Sequence, residues 1–342
     1  MKASSPGFTY AGTHSPRLKT ARRLAKRAFR DRDRAFLAEG PQAVGEAFAH
    51  GAVITDLFVT AAARSKHAAL VDAIASAGSA AASEASLADS PAAEARRVSR
   101  PGDTAGGSAA GGGSGGLVYT PRENTAGGSA AGGGLVSASQ KTQIHLVNDA
   151  TMSELAQTVT PQGLLAVCGF VDVTLRDALA GPRKLIAVLA NVRDPGNAGT
   201  VLRAADAAGA DAVIFADASV DPYNAKCVRA SAGSLFHLPV VVDVRLDDTV
   251  SELRAAGLRV VAADGRAGRS LDEPDVRQRL AGPTAWVFGN EAWGLPQELI
   301  ELTDEAVAVP IYGQAESLNL ATAAAVCLYA SAQSQRVNEN CV

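Results

Sequence analysis

Leu185-Ile186-Ala187-Val188-Leu189-Ala190-Asn191-Val192-Arg193-Asp194-Pro195-Gly196-Asn197-Ala198-Gly199-Thr200-Val201-Leu202-Arg203 runs from an apolar stretch through a loop of turn formers into an Ala-rich segment. The apolar part reads as a buried strand, Pro195 and Gly196 as a turn, and Asn197 as the N-cap of a helix over 198–208. Arg203 falls nearly two turns into that helix. Helical side chains lean toward the N-terminus, so Arg203 can approach the mouth where the first N–H groups lack intrahelical partners. An Asn and an Arg can therefore converge on one substrate group. Taken alone, the stretch fits equally well an Arg on a solvated helix face behind an ordinary Asn cap.

The pattern repeats outward from this run. Beyond Gly181 and Pro182, apolar strands are expected near Leu185 to Ala190, Ala212 to Ala216, Leu258 to Ala262, Ala285 to Phe288 and Ala306 to Val309, separated by helical stretches. Near-continuous apolar strands alternating with helices predict an α/β fold with a parallel sheet covered on both faces. Ligands of such a sheet bind outside the carboxyl ends of its strands. No strand end carries the G-x-G-x-x-G of a dinucleotide site.

Two further strand ends hold polar clusters. One is Trp286-Val287-Phe288-Gly289-Asn290-Glu291-Ala292-Trp293-Gly294-Leu295-Pro296; the other is Val309-Pro310-Ile311-Tyr312-Gly313-Gln314-Ala315-Glu316-Ser317-Leu318-Asn319-Leu320, which opens a long Ala-rich helix. In order and spacing, the three stretches resemble the three motifs of the SpoU (TrmH-like) branch of the SPOUT RNA methyltransferases, over roughly residues 183 to 336. The resemblance implies a SPOUT-type parallel sheet with a deep trefoil knot, the segment from Val309 onward being threaded under an earlier loop. Knots are rare exceptions to the usual connection rules, so nothing in the periodicity suggests one.

The resemblance further implies methyl transfer from S-adenosyl-L-methionine to a ribose 2'-hydroxyl of RNA. Arg203 matches the family's catalytic arginine, and Asn197, Glu291, Ser317 and Asn319 match the other polar motif positions. Gly289, Asn290, Val309, Ile311 and Leu318 match positions that hold the cofactor, with Gly294 and Gly313 shaping turns. Without a side chain, Gly289 lets cofactor atoms approach the backbone. Read without the resemblance, Val309, Ile311 and Leu318 fit plain core. A guanidinium stays protonated at accessible pH, so an electrostatic role suits Arg203 better than that of a base. Ser317 lacks the G-x-S-x-G elbow of a serine hydrolase.

The N-terminal part adds a basic block. Residues 17 to 34 hold nine Lys or Arg (Arg17, Lys19, Arg22, Arg23, Lys26, Arg27, Arg30, Arg32, Arg34) against Asp31 and Asp33, a local balance of +7 within a chain of net charge -3. Such a block suits phosphate contact, and Arg22, Arg23, Lys26 and Arg27 are the candidate RNA ligands. Leu18, Ala21, Ala25 and Phe29 also give it the apolar stripe of a solvated amphipathic helix. A strand at Ala35 to Glu39, a helix from Pro41, a strand at Val53 to Thr60 and a helix from Lys66 to Ala77 follow. This resembles the L30e-like substrate-binding domain that precedes many SpoU domains, Phe36-Leu37-Ala38-Glu39-Gly40 matching a recurrent junction there. A strand at Gln143 to Val147, a helix from Thr151 with a Thr151-x-x-Glu154 capping box and a strand at Gly163 to Phe170 complete it.

The expected organisation is a disordered N-terminus at 1–15, an L30e-like domain at 16–175 interrupted by a disordered insertion at about 79–139, and the methyltransferase domain at 182–342. The insertion is Ala, Gly and Ser rich, and Thr104 to Gly113 recur letter for letter as Thr125 to Gly134. With so little apolar surface it cannot offset chain entropy. The cysteines, Cys168, Cys227, Cys327 and Cys341, form no C-x-x-C pair, and the histidines, His14, His50, His67, His145 and His237, show no ligand spacing. No metal site, disulfide framework, signal peptide or membrane span is expected, which points to the cytoplasm. The resemblance implies ribosomal RNA of the large subunit as substrate, with tRNA as the rival target and a non-catalytic RNA-binding or ribosome-assembly factor as the rival class. It also implies a homodimer through the knot domain.

Overall fold

A computed structural model describes residues 8–10, 15–77 and 142–339. The N-terminal apolar runs form a mixed sheet of β1 (Phe8–Tyr10), β2 (Ala35–Glu39), β3 (Ile54–Thr60), β4 (Gln143–Val147) and β5 (Leu164–Gly169) in the order β1-β4-β3-β5-β2. Phe8–Tyr10, expected within a disordered terminus, instead pairs parallel to β4. The insertion at about 79–139 and Cys341 lie outside the described residues.

Three helices differ from their expected bounds, each for a local reason. The basic block forms two helices, Pro16–Arg23 and Arg27–Asp33, rather than one. Leu24 turns into the core between them, and Arg30 Nη1 donates to the Leu24 and Ala25 carbonyls at 2.9 and 3.0 Å, serving acceptors that the first helix leaves open. The helix expected from Lys66 begins earlier, as Ala61–Lys66 followed by 68–77, because Thr60 Oγ1 accepts from Ala63 N and sets a cap. The helix expected from Thr151 spans Asp149–Leu155. Asn148 is its cap, accepting from Thr151 N at 2.8 Å, while Thr151 itself is buried.

The second half forms an all-parallel sheet of β6 (Leu185–Ala190), β7 (Ala212–Ala216), β8 (Val240–Val244), β9 (Arg259–Ala263), β10 (Thr284–Phe288) and β11 (Glu305–Val307). Its order is β11-β9-β10-β6-β7-β8. β8 was not anticipated; it is a short run after Pro239 at the sheet edge whose second half is only partly covered, with Asp243 exposed. The chain runs from β6 to β8 on one side and then crosses to β9, so the order reverses between β6 and β10. Register matters here: Phe288 pairs with both Leu189 and Ala263, and the loops after β6, β9 and β10 leave the sheet at one level.

The described residues up to Ser76 and from Thr142 onward form one compact unit. Within it, one hydrophobic cluster runs through both sheets. Phe36 of β2 packs against Tyr223, Phe170 and Phe236, with the Phe170 and Tyr223 rings stacked at 3.8 Å. Burial and the Asp172 charge push the Tyr223 pKa up, so its hydroxyl stays protonated and donates to Asp172 at 2.7 Å while accepting from Val171 N. Cys168, Cys227 and Cys327 are free and buried, and burial pushes Cys168 and Cys327 up to about 12, which leaves them as inert core thiols. Among the described residues no helix is long and apolar enough to cross a membrane.

The charged counterpart of this seam is Arg30 with Asp221, both buried, with Nη2 and Nε donating to Oδ2 at 2.6 and 2.8 Å. Removing one member of a buried pair leaves the other charge uncompensated. Arg30→Ala is therefore expected to lose about 3–5 kcal/mol of unfolding free energy. Urea titration followed by circular dichroism checks this, and a loss within about 0.5 kcal/mol, the range of an ordinary surface change, would show that Asp221 needs no partner.

Candidate active site

The β6 loop turns at Asn191, whose φ of 58° lies in the left-handed region. The helix that follows, Pro195–Ala208, is capped by Asp194 rather than by Asn197 as the sequence suggested. Asp194 Oδ1 accepts from Asn197 N at 2.8 Å, and Pro195 fits the first helical position, where no N–H is needed. Lys226 Nζ, 2.6 Å from Asp194 Oδ2, holds that carboxyl below the usual carboxylate range. The displaced Asn197 keeps its side chain free for other work.

That side chain joins all three motif stretches. Asn197 Nδ2 donates to Glu291 Oε1 at 3.3 Å, and Asn197 Oδ1 accepts from Asn319 Nδ2 at 3.0 Å. Glu291 also accepts from the main-chain N–H of Arg193 at 3.3 Å and of Asp194 at 3.1 Å. Asn319 Oδ1 in turn accepts from Ala321 N at 2.9 Å at the start of the helix Leu320–Glu339. Three of the five expected polar residues thus form one hydrogen-bonded chain. The other two, Arg203 and Ser317, are exposed, and their side chains make no hydrogen bond or ion pair with described residues.

The β10 loop is a tight turn. Asn290 and Gly294 exchange main-chain hydrogen bonds at 2.9 Å, Asn290 Nδ2 donates to the Asn191 carbonyl at 3.0 Å, and Asn290 Oδ1 accepts from Ala292 N at 2.8 Å. A Cβ on Gly289 would lie 2.5 Å from the Gly294 carbonyl carbon. The turn itself therefore requires glycine at position 289, a second reason beside the close cofactor approach that the sequence reading gave. Gly294, at φ 71°, does shape the turn, whereas Gly313 is neither left-handed nor crowded.

At the carboxyl edge lies a cavity of about 490 Å³ lined by all five expected cofactor residues, Gly289, Asn290, Val309, Ile311 and Leu318, together with Glu291 and Ser317. Ile311 and Leu318 are exposed, so the alternative reading as core does not hold for them, whereas Val309 is partly buried and packs against the core as well as lining the cavity. Asp264, Arg266, Trp293 and Glu316 also line it and were missed. Asp264 and Arg266 follow β9 directly, so the rule that ligands sit at strand carboxyl ends could have found them. A larger cavity of about 560 Å³ shares Val309 and Leu318 but is otherwise walled by Leu271, Tyr312, Val326 and Tyr329. The smaller one adjoins the polar chain and is the better candidate for chemistry.

The basic block is largely committed elsewhere. Arg22 pairs with Glu154, Arg27 with Asp31 at 3.4 Å and Asp243 at 3.6 Å, and the Arg23 guanidinium lies over the Phe29 ring at 5.6 Å. Lys26 is exposed with no such partner among the described residues, and Arg30 is buried against Asp221.

A family model described as the SpoU rRNA Methylase family matches residues 184–329, and one described as an MRM3-like substrate binding domain matches residues 15–93. The chain is 40% identical over 187 residues to the 23S rRNA (guanosine(2553)-2'-O)-methyltransferase RlmP of Bacillus subtilis, covering 55% of this chain and 71% of that protein. It is 34% identical over 200 residues to the 23S rRNA (guanosine-2'-O-)-methyltransferase RlmB of Bordetella pertussis, covering 57% and 79%. The fold is similar to the AdoMet-bound rRNA methyltransferase from Sinorhizobium meliloti, with a TM-score of 0.66, 25% identity and coverage of 95% and 97%.

The carboxylate of Glu291 is the only side chain described as accepting from the Arg193 and Asp194 N–H groups. Glu291→Ala is expected to speed amide hydrogen exchange at Arg193 and Asp194 by about tenfold, with the β6 core amides unchanged. Equal exchange in the two proteins would mean that the loop holds its shape without the carboxylate.

Proposed function

The chain belongs to the SpoU rRNA methylase family, and we propose that its carboxyl-edge cavity serves transfer of a methyl group from S-adenosylmethionine to a ribose 2'-hydroxyl of 23S rRNA. The observation that carries this reading is the adjacency of the 490 Å³ cavity to the Asn319, Asn197 and Glu291 chain. That volume lies within the range of about 300–1,000 Å³ usual for small-ligand sites.

The residues present fit the cofactor. Val309, Ile311 and Leu318 offer partly exposed apolar surface in a cavity that also holds main-chain polar groups, as an adenosine-bearing ligand needs. When bound, it supplies an already activated methyl group on a sulfonium. The protein's own task is the nucleophile, since a ribose hydroxyl is barely acidic. The Arg203 side chain is exposed and has no partner among the described residues, so its guanidinium is available to an RNA phosphate and to negative charge developing on the 2'-oxygen. Glu291, Asn197 and Asn319 act as positioning residues, holding the β6 loop beside the cavity. Ser317, exposed on the cavity wall, is a further contact for cofactor or RNA.

RNA approaches with the N-terminal half as its guide. Lys26 and the exposed faces of Arg22, Arg23 and Arg27 supply phosphate contacts, with fewer free charges than the block's +7 suggested. A homodimer through the C-terminal helix accounts for exposed Val326, Tyr329 and Val337 along one of its faces. The knot, the division into a substrate-binding and a methyltransferase domain, and a cytoplasmic location belong to the same reading.

Arg203→Ala is expected to keep S-adenosylmethionine affinity within about twofold while lowering kcat on rRNA by about 10²–10³. Isothermal titration and a radiolabelled methyl-transfer assay measure the two, and near-normal turnover would remove Arg203 from the chemistry. Mapping 2'-O-methyl sites in rRNA and tRNA from cells with and without the gene tests the substrate. Loss of a single 23S site is expected; a lost tRNA site instead would overturn the rRNA assignment.

A further inference from the structure

Two histidines 187 positions apart in sequence meet at the seam between the two halves. His50 ends the helix Pro41–Ala49, and His237 follows the turn after Gly233; their ring centroids lie 4.4 Å apart. Glu46, one turn before His50 on the same helix face, brings Oε2 within 3.2 Å of His237 Nε2 and 3.6 Å of His50 Nδ1. One ligand atom from each of Glu46, His50 and His237 lies within 4.8 Å of the other two.

We propose that Glu46, His50 and His237 form a binding site for a divalent transition ion of the Zn²⁺ type that clamps the N-terminal half to the sheet bearing the active site. The donor set, two imidazoles and a carboxylate, is one such ions favour, with water in the fourth, solvent-facing position. Bond lengths near 2.0–2.2 Å put tetrahedral ligands about 3.4 Å apart, so the 3.2 Å between Glu46 and His237 already matches and His50 needs only a small rotation.

The surroundings are those of a built ligand set. His237 Nδ1 faces Asp206 Oδ2 at 2.7 Å, which fixes the proton on Nδ1 and leaves Nε2 for the ion; Asp206 is held in turn by Ser234 Oγ at 2.7 Å. His50 Nδ1, the nitrogen nearer Glu46 Oε2, gives up its 3.0 Å contact with the Glu46 main-chain carbonyl to face the ion. A Cβ on Gly233 would lie 2.5 Å from Glu46 Cγ, so only glycine admits the carboxylate here. Asp206 also sits one turn after Arg203 on the helix Pro195–Ala208, so the clamp would fix the N-terminal half against the helix that carries the proposed catalytic arginine. The site stands whether or not the methyl-transfer reading holds.

The test uses the full chain with any affinity tag removed and metals stripped by chelation. Isothermal titration with Zn²⁺ should give one equivalent per chain, and Co²⁺ should give a visible absorption band of low-coordinate N/O ligation. His50→Gln, an exposed change that leaves the fold intact by circular dichroism, should weaken Zn²⁺ binding by about tenfold or more and abolish the rise in Tm that Zn²⁺ gives the parent protein. Asp206→Asn should keep the stoichiometry and weaken affinity by about 10–100-fold. Binding that is equally tight in His50→Gln and in the His50→Gln, His237→Gln double variant would place the ion elsewhere and overturn the proposal. So would the absence of stoichiometric binding by the parent protein; His237 would then be only a hydrogen-bonded bridge between Asp206 and Glu46.

Discussion

The carboxylate of Glu291 ties together the two loops that flank the sheet's switch point, and the site's geometry follows from that tie. Parallel strands in register deliver the β6 and β10 loops to the same level, but register alone does not set a loop's conformation. Glu291 does so by accepting from two successive main-chain N–H groups of the β6 loop and from the Asn197 amide. Charge-assisted bonds to otherwise unpaired N–H groups are among the stronger that a loop can make. Asn290 answers in the opposite direction by donating to the Asn191 carbonyl. With both ends of the Asn197 amide fixed, Asn319 is oriented as well, and through it the start of the last helix.

Close packing carries this order outward. A Cβ at Gly199 would meet the Cys227 carbonyl oxygen at 2.4 Å, so the helix bearing Arg203 lies against Ala225–Ser231 at a distance only glycine permits. That second helix places Lys226 on Asp194, the cap of the first, and Arg229 on Glu39 at the end of β2. The N-terminal half is therefore joined to the motif helix through a single intervening helix. Arg30 with Asp221 and the Phe36, Tyr223 and Phe170 rings fix the same seam, so the two halves present one surface to a large substrate.

Much of this was legible because the strands are continuous apolar runs that end in turn formers, and because each motif stretch begins at such an end. Five of the six parallel strands fell where their patterns put them. The edge strand Val240–Val244 escaped because its pattern is short and its second half is only partly covered. Local competition misled in other places: Asp194 followed by Pro195 outranks Asn197 as a cap, and Asn148 outranks Thr151, although both signals were present in the sequence. Other features depend on contacts no local pattern encodes. Arg30 read as one more cation of a basic block, since its partner Asp221 is 191 positions away. His50 and His237 read as scattered for the same reason. The crowding of Gly294 against Gly289 could not be read either, because it exists only once the turn has closed.

The distribution of satisfied and unsatisfied groups separates scaffold from working surface. Glu291, Asn197 and Asn319 spend their hydrogen-bonding capacity largely on one another and on the main chain, which makes them rigid and poor candidates for moving protons. Arg203 is exposed on the helix that follows β6 and Ser317 is exposed on the cavity wall, and neither side chain has a partner among the described residues. In water an exposed guanidinium is well solvated and its field is screened, so Arg203 does little to a distant oxyanion. In the proposed reaction, docking of RNA would displace that water and lower the local dielectric, and the same charge would then act strongly on the oxygen it faces. The absence of a carboxylate partner for Arg203 among the described residues suits that proposed role, since an internal ion pair would neutralise the charge before RNA arrived.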